Sequence, residues 1–361
     1  MQVGIMTMQR IDNYGSFLQA LGLKRMIEEL GNDVVFVDFE VGSIPSDTKW
    51  KNLGLLRFIK SIIKPVNLNR VFPETPYFKK EYLSLGLSDE RKYRTKVDVL
   101  VIGSDEVFNF IQKNPIVGFS PELIGAHNRA KKVISYAASC GNLSIEKVRW
   151  YGYYKTASRL LKCFSKISVR DEGTKRFVKE LTGLSPEVNL DPVLVSDYGL
   201  MFLDKVQIKD YILIYGYENR FTKDEGEKIK EFAQKRNKKL ISFCGKQSFC
   251  DEYCVCSPLE IMAYFKHADC IITDTFHGTI FSIVNHKPFL TLSRADNQVG
   301  YGNENKVLDL LLRLNLMDRL LLPDDDIEKK MSVQVNFDSV DIIRNYERKR
   351  TMEYLRTNIC L

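Results

Sequence analysis

Short apolar runs alternate with amphipathic segments along the chain. Val3 to Thr7 is the first such run, and after a polar loop the apolar positions from Phe17 to Leu30 recur at helical spacing, up to Gly31. A second run, Val34 to Phe39, follows directly. A strand, a helix and another strand in this order cross over right-handedly in a parallel sheet. The pattern therefore predicts an α/β domain in the first part of the chain.

The same alternation continues over most of the sequence. Further strands are predicted at 97–102, 132–138, 167–170, 211–215, 239–243, 270–273 and 288–292, and helices at 171–181, 223–235, 258–265 and 278–285. The less regular stretch 43–95, which contains the basic amphipathic segment Leu53 to Lys64, is interpreted as an insertion over the sheet.

A turn-rich stretch, Ser196 to Gly199, separates the two series and is interpreted as a domain boundary. The pattern thus predicts an α/β fold of two Rossmann-like domains, 1–199 and 200–361, with an interdomain cleft at the carboxyl ends of the strands. A charged helix, about Val340 to Thr357, is expected to pack across both domains.

Composition restricts the classes of function. The 361 residues are 44% hydrophobic, and 53 Lys and Arg against 46 Asp and Glu leave a net charge of +7, which is scattered and does not indicate a nucleic-acid partner. It favours an anionic small substrate or peripheral contact with the cytoplasmic face of a membrane. Neither a signal peptide nor an apolar run of about 18 residues is found, so we expect a cytoplasmic protein.

The eight cysteines are expected to be reduced thiols. Four of them form a cluster, Cys244, Cys250, Cys254 and Cys256, that lacks the paired spacing of most zinc sites, so no metal is predicted.

Three strand ends carry candidate chemistry. His277 follows the strand 270–273 at the start of a helix, where it suits acid–base work on a bound anion, although it could equally cap the helix. Asp105 follows Gly103 and could take a proton from a hydroxyl, but an Asx turn or helix cap made by Ser104 or Asp105 is the simpler interpretation. Arg170 suits a carboxylate or phosphate, or could neutralise the acidic residues that follow it.

Six short motifs occur in one order along residues 2 to about 322. They are Asn13-Tyr14-Gly15 with Leu18-Gln19-Ala20, Ile102 to Asn109, Ser135 to Ser139, Ile167 to Asp171, Leu190-Asp191-Pro192, and Thr273 to Thr279. Together they resemble the polysaccharide pyruvyltransferase family. The resemblance implies a glycosyltransferase-B-like pair of Rossmann-type domains and transfer of the enolpyruvyl part of phosphoenolpyruvate to a hexose, such as that of a lipid-linked precursor, during surface-polysaccharide assembly. The product is a pyruvate ketal, and no cofactor besides this donor substrate is implied.

The resemblance also implies roles for individual residues. His277 would act as general acid or anion binder, Arg170 would hold anionic groups of the donor, and Asp105 would help to deprotonate the acceptor. The remaining candidates are Thr275, Gly278 and Thr279 on the donor side and Asn13, Tyr14, Gln19 and Ser104 on the acceptor side.

The sequence departs from the family pattern at one place. Better-studied members have Arg-Leu before the histidine, whereas Thr275-Phe276 stands here, so one expected cation is missing. Arg294 or Lys306 is the hypothetical substitute. Two other functions stay open: a nucleotide-sugar glycosyltransferase, for which Glu304 and the loop 300–302 are weak candidates, and a non-catalytic carbohydrate-binding relative.

Overall fold

The computed structural model describes residues 1–44, 76–198, 204–293 and 304–360. Residues up to 198 are called the N-terminal half below, and those from 204 the C-terminal half. The predicted insertion lies partly outside the described residues, and its basic segment lies wholly outside them. The last residue of the predicted domain boundary, Gly199, is also outside them.

The N-terminal half is built on a parallel sheet. The strands β1 (Gln2–Met6), β2 (Asp33–Phe36), β3 (Val99–Ile102) and β4 (Lys132–Ser135) lie in the order β2-β1-β3-β4. Two short strands, β5 (Ser168–Val169) and β6 (Glu187–Val188), pair in parallel beyond β4. The strand predicted at 132–138 stops at Ser135 because Ala137 takes a φ of +44°, outside the extended region.

Helices lie between these strands. They are α1 (Tyr14–Glu29), α2 (Pro76–Ser84), α3 (Ile145–Trp150), α4 (Tyr154–Lys162), α5 (Glu172–Thr182) and α6 (Pro192–Val195), with a 3-10 helix at Pro121–Ile124. Asn13, Asp171 and Asp191 cap α1, α5 and α6 with side-chain oxygens that accept backbone N–H groups. The described helix of the predicted insertion, α2, packs against α1: the rings of Phe78 and Tyr14 are 5.3 Å apart.

The C-terminal half contains a second parallel sheet. Its strands are β7 (Tyr211–Gly216), β8 (Lys239–Cys244), β9 (Glu252–Tyr253), β10 (Cys270–Thr273), β11 (Phe289–Leu292) and β12 (Leu320–Leu321), in the order β12-β11-β10-β7-β8-β9. The predicted α/β fold with parallel sheets is confirmed. The edge strands β9 and β12 have two residues each, too few to produce a sequence pattern.

The helices of this half are α7 (Lys223–Lys235), α8 (Ile261–His267), α9 (Phe276–Val284), α10 (Glu304–Arg313), α11 (Ile327–Ser332) and α12 (Phe337–Ile359), with a 3-10 helix at Met317–Arg319. The prediction that a helix starts at Gly278 was wrong by two residues. Thr275 is the N-cap, because its Oγ1 accepts the Gly278 N–H at 2.8 Å, so α9 begins at Phe276.

The long helix α12 contacts both halves. The hydroxyls of Thr351 and Tyr136 are 3.1 Å apart, and Tyr354 donates a hydrogen bond to the Ser135 carbonyl at 2.8 Å. At the other end of α12, the ring of Phe337 stacks on His286 with 5.0 Å between centroids. A continuous cluster of buried apolar side chains also includes residues of both halves, among them Phe17 and Phe281. In the described part of the chain, no helix is long and apolar enough to cross a membrane.

Candidate functional site

A cavity of about 1210 Å³ lies where the two halves meet. Its wall contains residues that follow parallel strands, among them Asp105 after β3, Arg170 after β5, Arg220 after β7 and His277 after β10. The carboxyl ends of both sheets therefore face one space, which is where ligands of open α/β sheets bind.

A buried carboxylate joins the two halves beside this cavity. Arg170 donates a hydrogen bond from Nη1 to Oδ2 of Asp191 at 2.9 Å, and Nε2 of His277 lies 3.6 Å from the same oxygen. The Asp191 side chain is fully buried. An arginine of one half and a histidine of the other thus share one anionic partner.

Neighbouring charges determine the ionisation states of Asp191 and Arg170. Burial opposes ionisation of Asp191, but the imidazole of His277 and the guanidinium of Arg170 lower the pKa of its carboxyl to about 2. Burial also opposes the charge on Arg170, yet the carboxylates of Asp191 and Asp105 raise the pKa of Arg170 above its ordinary value. Both groups are therefore ionised throughout the physiological pH range.

Asp191→Asn should make the stability of the protein less dependent on pH. The lowered pKa of about 2 means that the Asp191 carboxylate stabilises the fold at neutral pH and that this contribution is lost as the pH falls from about 4 towards 2. We expect the substitution to lower the free energy of unfolding by about 3 kcal/mol at pH 7, and the deficit to shrink at pH 3. Urea unfolding at several pH values measures it. Asp210→Asn, at an exposed ion pair with Lys238, is the control; a deficit independent of pH would contradict this assignment.

Asp105 is a second carboxylate near Arg170. Its carboxylate accepts hydrogen bonds from Ser16 Oγ at 2.7 Å and from the Glu106 N–H at 2.9 Å, and it lies 3.9 Å from Arg170 Nη1. Two residues earlier, Gly103 packs directly on the backbone of Tyr136, since an added Cβ would come within 2.1 Å of the Tyr136 carbonyl oxygen. The structure therefore brings Asp105, Arg170 and His277 together, as expected of one cleft.

The ring of His277 is held between Asp191 and the first helix. Nε2 is buried beside Asp191 and has no hydrogen-bond partner among the described residues, while Nδ1 lies over Gly15 at the start of α1. A Cβ on Gly15 would be 2.1 Å from Nδ1. The imidazole thus packs directly on the backbone of the first helix, with Asp191 on the other ring edge.

Arg220 is a cavity residue that sequence reasoning missed. It lies past the end of β7 and is only 7% exposed. Its Nε is 2.8 Å from Asp274 Oδ2, and its Nη2 donates to the Asp274 carbonyl at 3.3 Å. The available signal was its position in the loop that follows an apolar strand, the same signal that identified the other three strand-end residues.

Several predicted contact residues do not line the cavity. Tyr14 and Gln19 are buried and hydrogen-bonded, to the Cys256 carbonyl and to Thr7 Oγ1 respectively. Ser104 Oγ donates to the Ala137 carbonyl. We therefore correct these three predictions: each residue holds the protein framework around the site.

Two donor-side predictions need the same correction. The Gly278 N–H is used by the capping Thr275 Oγ1, and an added Cβ there would lie 2.1 Å from Thr273 Oγ1. Thr279 is fully buried and bonded to the Thr275 carbonyl and Thr291 Oγ1. Thr275 itself does line the cavity, but its hydroxyl serves as the helix cap.

Asn13 and Lys306 line the cavity and also link the halves. Asn13 caps α1 and donates from Nδ2 to the Tyr217 hydroxyl at 2.8 Å, while the Lys306 ammonium pairs with Glu106. The charge of Lys306 is therefore already offset by a carboxylate of the protein, so Lys306 does not replace the cation missing before His277. Arg294 and the glycosyltransferase candidates at 300–302 lie outside the described residues, as does the side chain of Glu304.

No group of three or more His, Cys, Asp or Glu side chains in the described ranges is arranged to hold a metal ion. The four clustered cysteines are free thiols, and burial raises the pKa of Cys244, Cys250 and Cys256 to about 12. They are therefore protonated at neutral pH.

Comparison with known proteins finds a family match at the level of sequence. A family model described as polysaccharide pyruvyl transferase matches residues 13–297, a range that includes Asp105, Arg170, Asp191, Arg220 and His277. No curated protein matches the chain significantly.

Solved structures show a distant likeness in chain path. The chain is similar to the UDP-GlcNAc 2-epimerase of Methanocaldococcus jannaschii, at 13% identity over 98% of this chain and 99% of that chain with a TM-score of 0.46. The epimerase of Neisseria meningitidis gives 14% identity, 99% and 100% coverage and a TM-score of 0.46. The heptosyltransferase WaaC of E. coli gives 12%, 86% and 96%, and 0.39.

Proposed function

The chain belongs to the polysaccharide pyruvyl transferase family, and on that basis we propose that it transfers the enolpyruvyl group of phosphoenolpyruvate to a hexose of a surface-polysaccharide precursor. The product is a pyruvate ketal and the leaving group is inorganic phosphate. The observation that carries the proposal is the meeting of Arg170 and His277, from opposite halves, on the buried carboxylate of Asp191.

The cluster can supply the proton transfers that ketal formation needs. A hydroxyl of the acceptor attacks C2 of the donor and gives its proton to Asp105, while C3 gains a proton from His277. The bond from C2 to the phosphate oxygen then breaks, and a second hydroxyl closes the ketal ring. The proton of that hydroxyl leaves with the phosphate. Asp105 then gives its proton to water and His277 takes one up from water, so charge and atoms balance over the cycle.

Asp191 positions the acid in this scheme. The carboxylate lies beside Nε2, and the backbone of Gly15 packs against the Nδ1 edge, so the ring is held from both sides. Arg170, whose guanidinium carbon lies 4.3 Å from the Phe276 ring centroid, is held in place by Asp191 and the ring. Its planar donors suit the carboxylate of phosphoenolpyruvate.

The N-terminal wall of the cavity suits a sugar. Trp150, at the end of α3, is 46% exposed, and Tyr151 follows it. Amides and charged groups surround them: Asn109, Gln112, Lys113, Asn114, Asn142, Glu146 and Lys147. Aromatic rings pack against the apolar face of a pyranose, and amides pair with its hydroxyls. The acceptor therefore enters along this wall in our proposal.

Trp150→Ala should weaken acceptor binding. Loss of the aromatic face removes about 1 kcal/mol of stacking, so we expect the acceptor KM to rise roughly fivefold while the donor KM stays unchanged. Trp150→Phe should retain most of the affinity. Tyr346→Ala, at an exposed aromatic residue on α12, is the control; an equal rise in both KM values would contradict the assignment.

The proposed function is tested by product analysis. The purified protein is incubated with isotope-labelled phosphoenolpyruvate and a panel of lipid-linked glycans, and mass spectrometry searches for a labelled pyruvyl group on the sugar alongside released phosphate. A labelled ketal supports the proposal. No ketal with any glycan, together with turnover of a nucleotide sugar, would replace it with a glycosyltransferase.

A further inference from the structure

We infer that Arg220, together with the N-terminus of α9, binds the phosphate group of the donor. This inference rests on the proposed function, and it assigns the cation that the family pattern places before the histidine. Thr275 cannot supply that charge.

The contacts of Arg220 leave part of its guanidinium for a ligand. Nε faces Asp274 Oδ2 and Nη2 donates to the Asp274 carbonyl, whereas no described residue accepts a hydrogen bond from Nη1. The residue is nine-tenths buried and yet belongs to the cavity wall. The N–H donors of a guanidinium normally have a protein, ligand or water acceptor, and for Nη1 that acceptor can be a ligand in the cavity.

Both arginines flank the same short turn. Arg220 is anchored on Asp274, and Arg170 lies against the ring of Phe276 two residues later. His277 follows immediately, at the start of α9. A ligand at this turn therefore meets one guanidinium from each half of the protein. The imidazole of His277 then lies between the two anionic groups of the ligand.

The assignment of the two anionic groups follows from this placement. Arg220 approaches from the C-terminal half, next to the turn from β10 into α9, where backbone N–H groups and the helix dipole favour a phosphate. Arg170 approaches from the N-terminal half, next to Asp105, the proposed base. Phosphate therefore lies towards Arg220 and the carboxylate of the donor towards Arg170.

Charge balance explains why a buried arginine is used. Asp274 is fully buried and offsets the charge of Arg220. Arginine can hold this carboxylate with one edge and a phosphate oxygen with another, because its donors form a rigid planar fork. A lysine at this position has a single ammonium and cannot reproduce that geometry.

The test uses two halves of the donor as separate probes. Inorganic phosphate and pyruvate are titrated as competitors of phosphoenolpyruvate, by calorimetry, against wild type, Arg220→Lys and the double variant Arg220→Gln with Asp274→Asn. The double variant removes both charges together, so no buried carboxylate is left unpaired. Arg236→Lys, at an exposed ion pair with Glu328, is the matched control. Thermal unfolding verifies that each variant is folded.

We expect phosphoenolpyruvate and phosphate to bind roughly 10- to 100-fold more weakly to the Arg220 variants, which corresponds to the loss of one charge-assisted hydrogen bond. Pyruvate should bind as it does to wild type. Unchanged phosphate affinity, or loss of pyruvate affinity instead, overturns the inference. Failure of wild type to bind phosphoenolpyruvate overturns the proposed function, whereas the phosphate titration still reports on Arg220.

Discussion

His277→Gln should lower the rate of pyruvyl transfer by roughly 10²- to 10⁴-fold, the usual contribution of a positioned general acid. Glutamine preserves polarity and similar length but cannot exchange a proton near neutral pH. Arg170 still pairs with the Asp191 carboxylate in this variant, so the fold should persist. The initial rate of phosphate release with saturating donor and acceptor measures the effect.

The control for this substitution is His286→Gln. His286 is also in the C-terminal half and also lies near an aspartate, 2.9 Å from Asp341, but its side chain is 47% exposed and away from the cavity. Its activity should match wild type. Retention of more than about one-tenth of the rate in His277→Gln would remove His277 from the chemistry.

Gly15→Ala should abolish most activity without adding or removing a reactive group. The new Cβ would lie 2.1 Å from His277 Nδ1, so the imidazole has to move away from the position that it takes over α1. Displacement of a catalytic group by about 1 Å can cost 10²-fold in rate, and we expect a loss of that order in kcat. Steady-state kinetics with both substrates measures it.

A matched glycine tests whether the effect is local. Gly173 also lies in the first turn of a helix, α5, but a Cβ there meets only Asp171 Oδ1, at 3.2 Å. Gly173→Ala should therefore keep nearly full activity. Alanine favours helix over glycine by about 0.5–1 kcal/mol, so a loss of rate in Gly15→Ala should not be accompanied by a comparable loss of helix stability. Equal kinetics of the two variants would contradict steric displacement.

The sequence predicted the strand-end residues because their positions depend on local pattern alone. An apolar run followed by a polar residue marks the carboxyl end of a strand, and in a parallel sheet those ends share one edge. Asp105, Arg170 and His277 were identified in this way. The local pattern did not show which of these side chains would contact a residue of the other half.

Other site residues were missed for specific physical reasons. Asp191 precedes a proline, a position typical of a helix cap, and it does cap α6. Its second role, as the shared partner of Arg170 and His277, depends on a contact with the other half that the local sequence does not show. Arg220 lies in the loop after β7, and this position alone does not show that its guanidinium pairs with Asp274 at the cavity wall. The acceptor-side candidates Gln19 and Ser104 failed because their polarity serves buried hydrogen bonds inside the N-terminal half.

The packing of α12 on the first sheet has a consequence for protein synthesis. Tyr136 and Thr351, whose hydroxyls meet, are 215 positions apart in the chain. A nascent chain grows at about 5–20 residues per second, so a ribosome needs roughly 10 to 40 s between the two. During that interval the N-terminal sheet has been made but lacks its covering helix, with apolar surface open to chaperones and to aggregation. The N-terminal half is therefore completed only after translation of the C-terminal half.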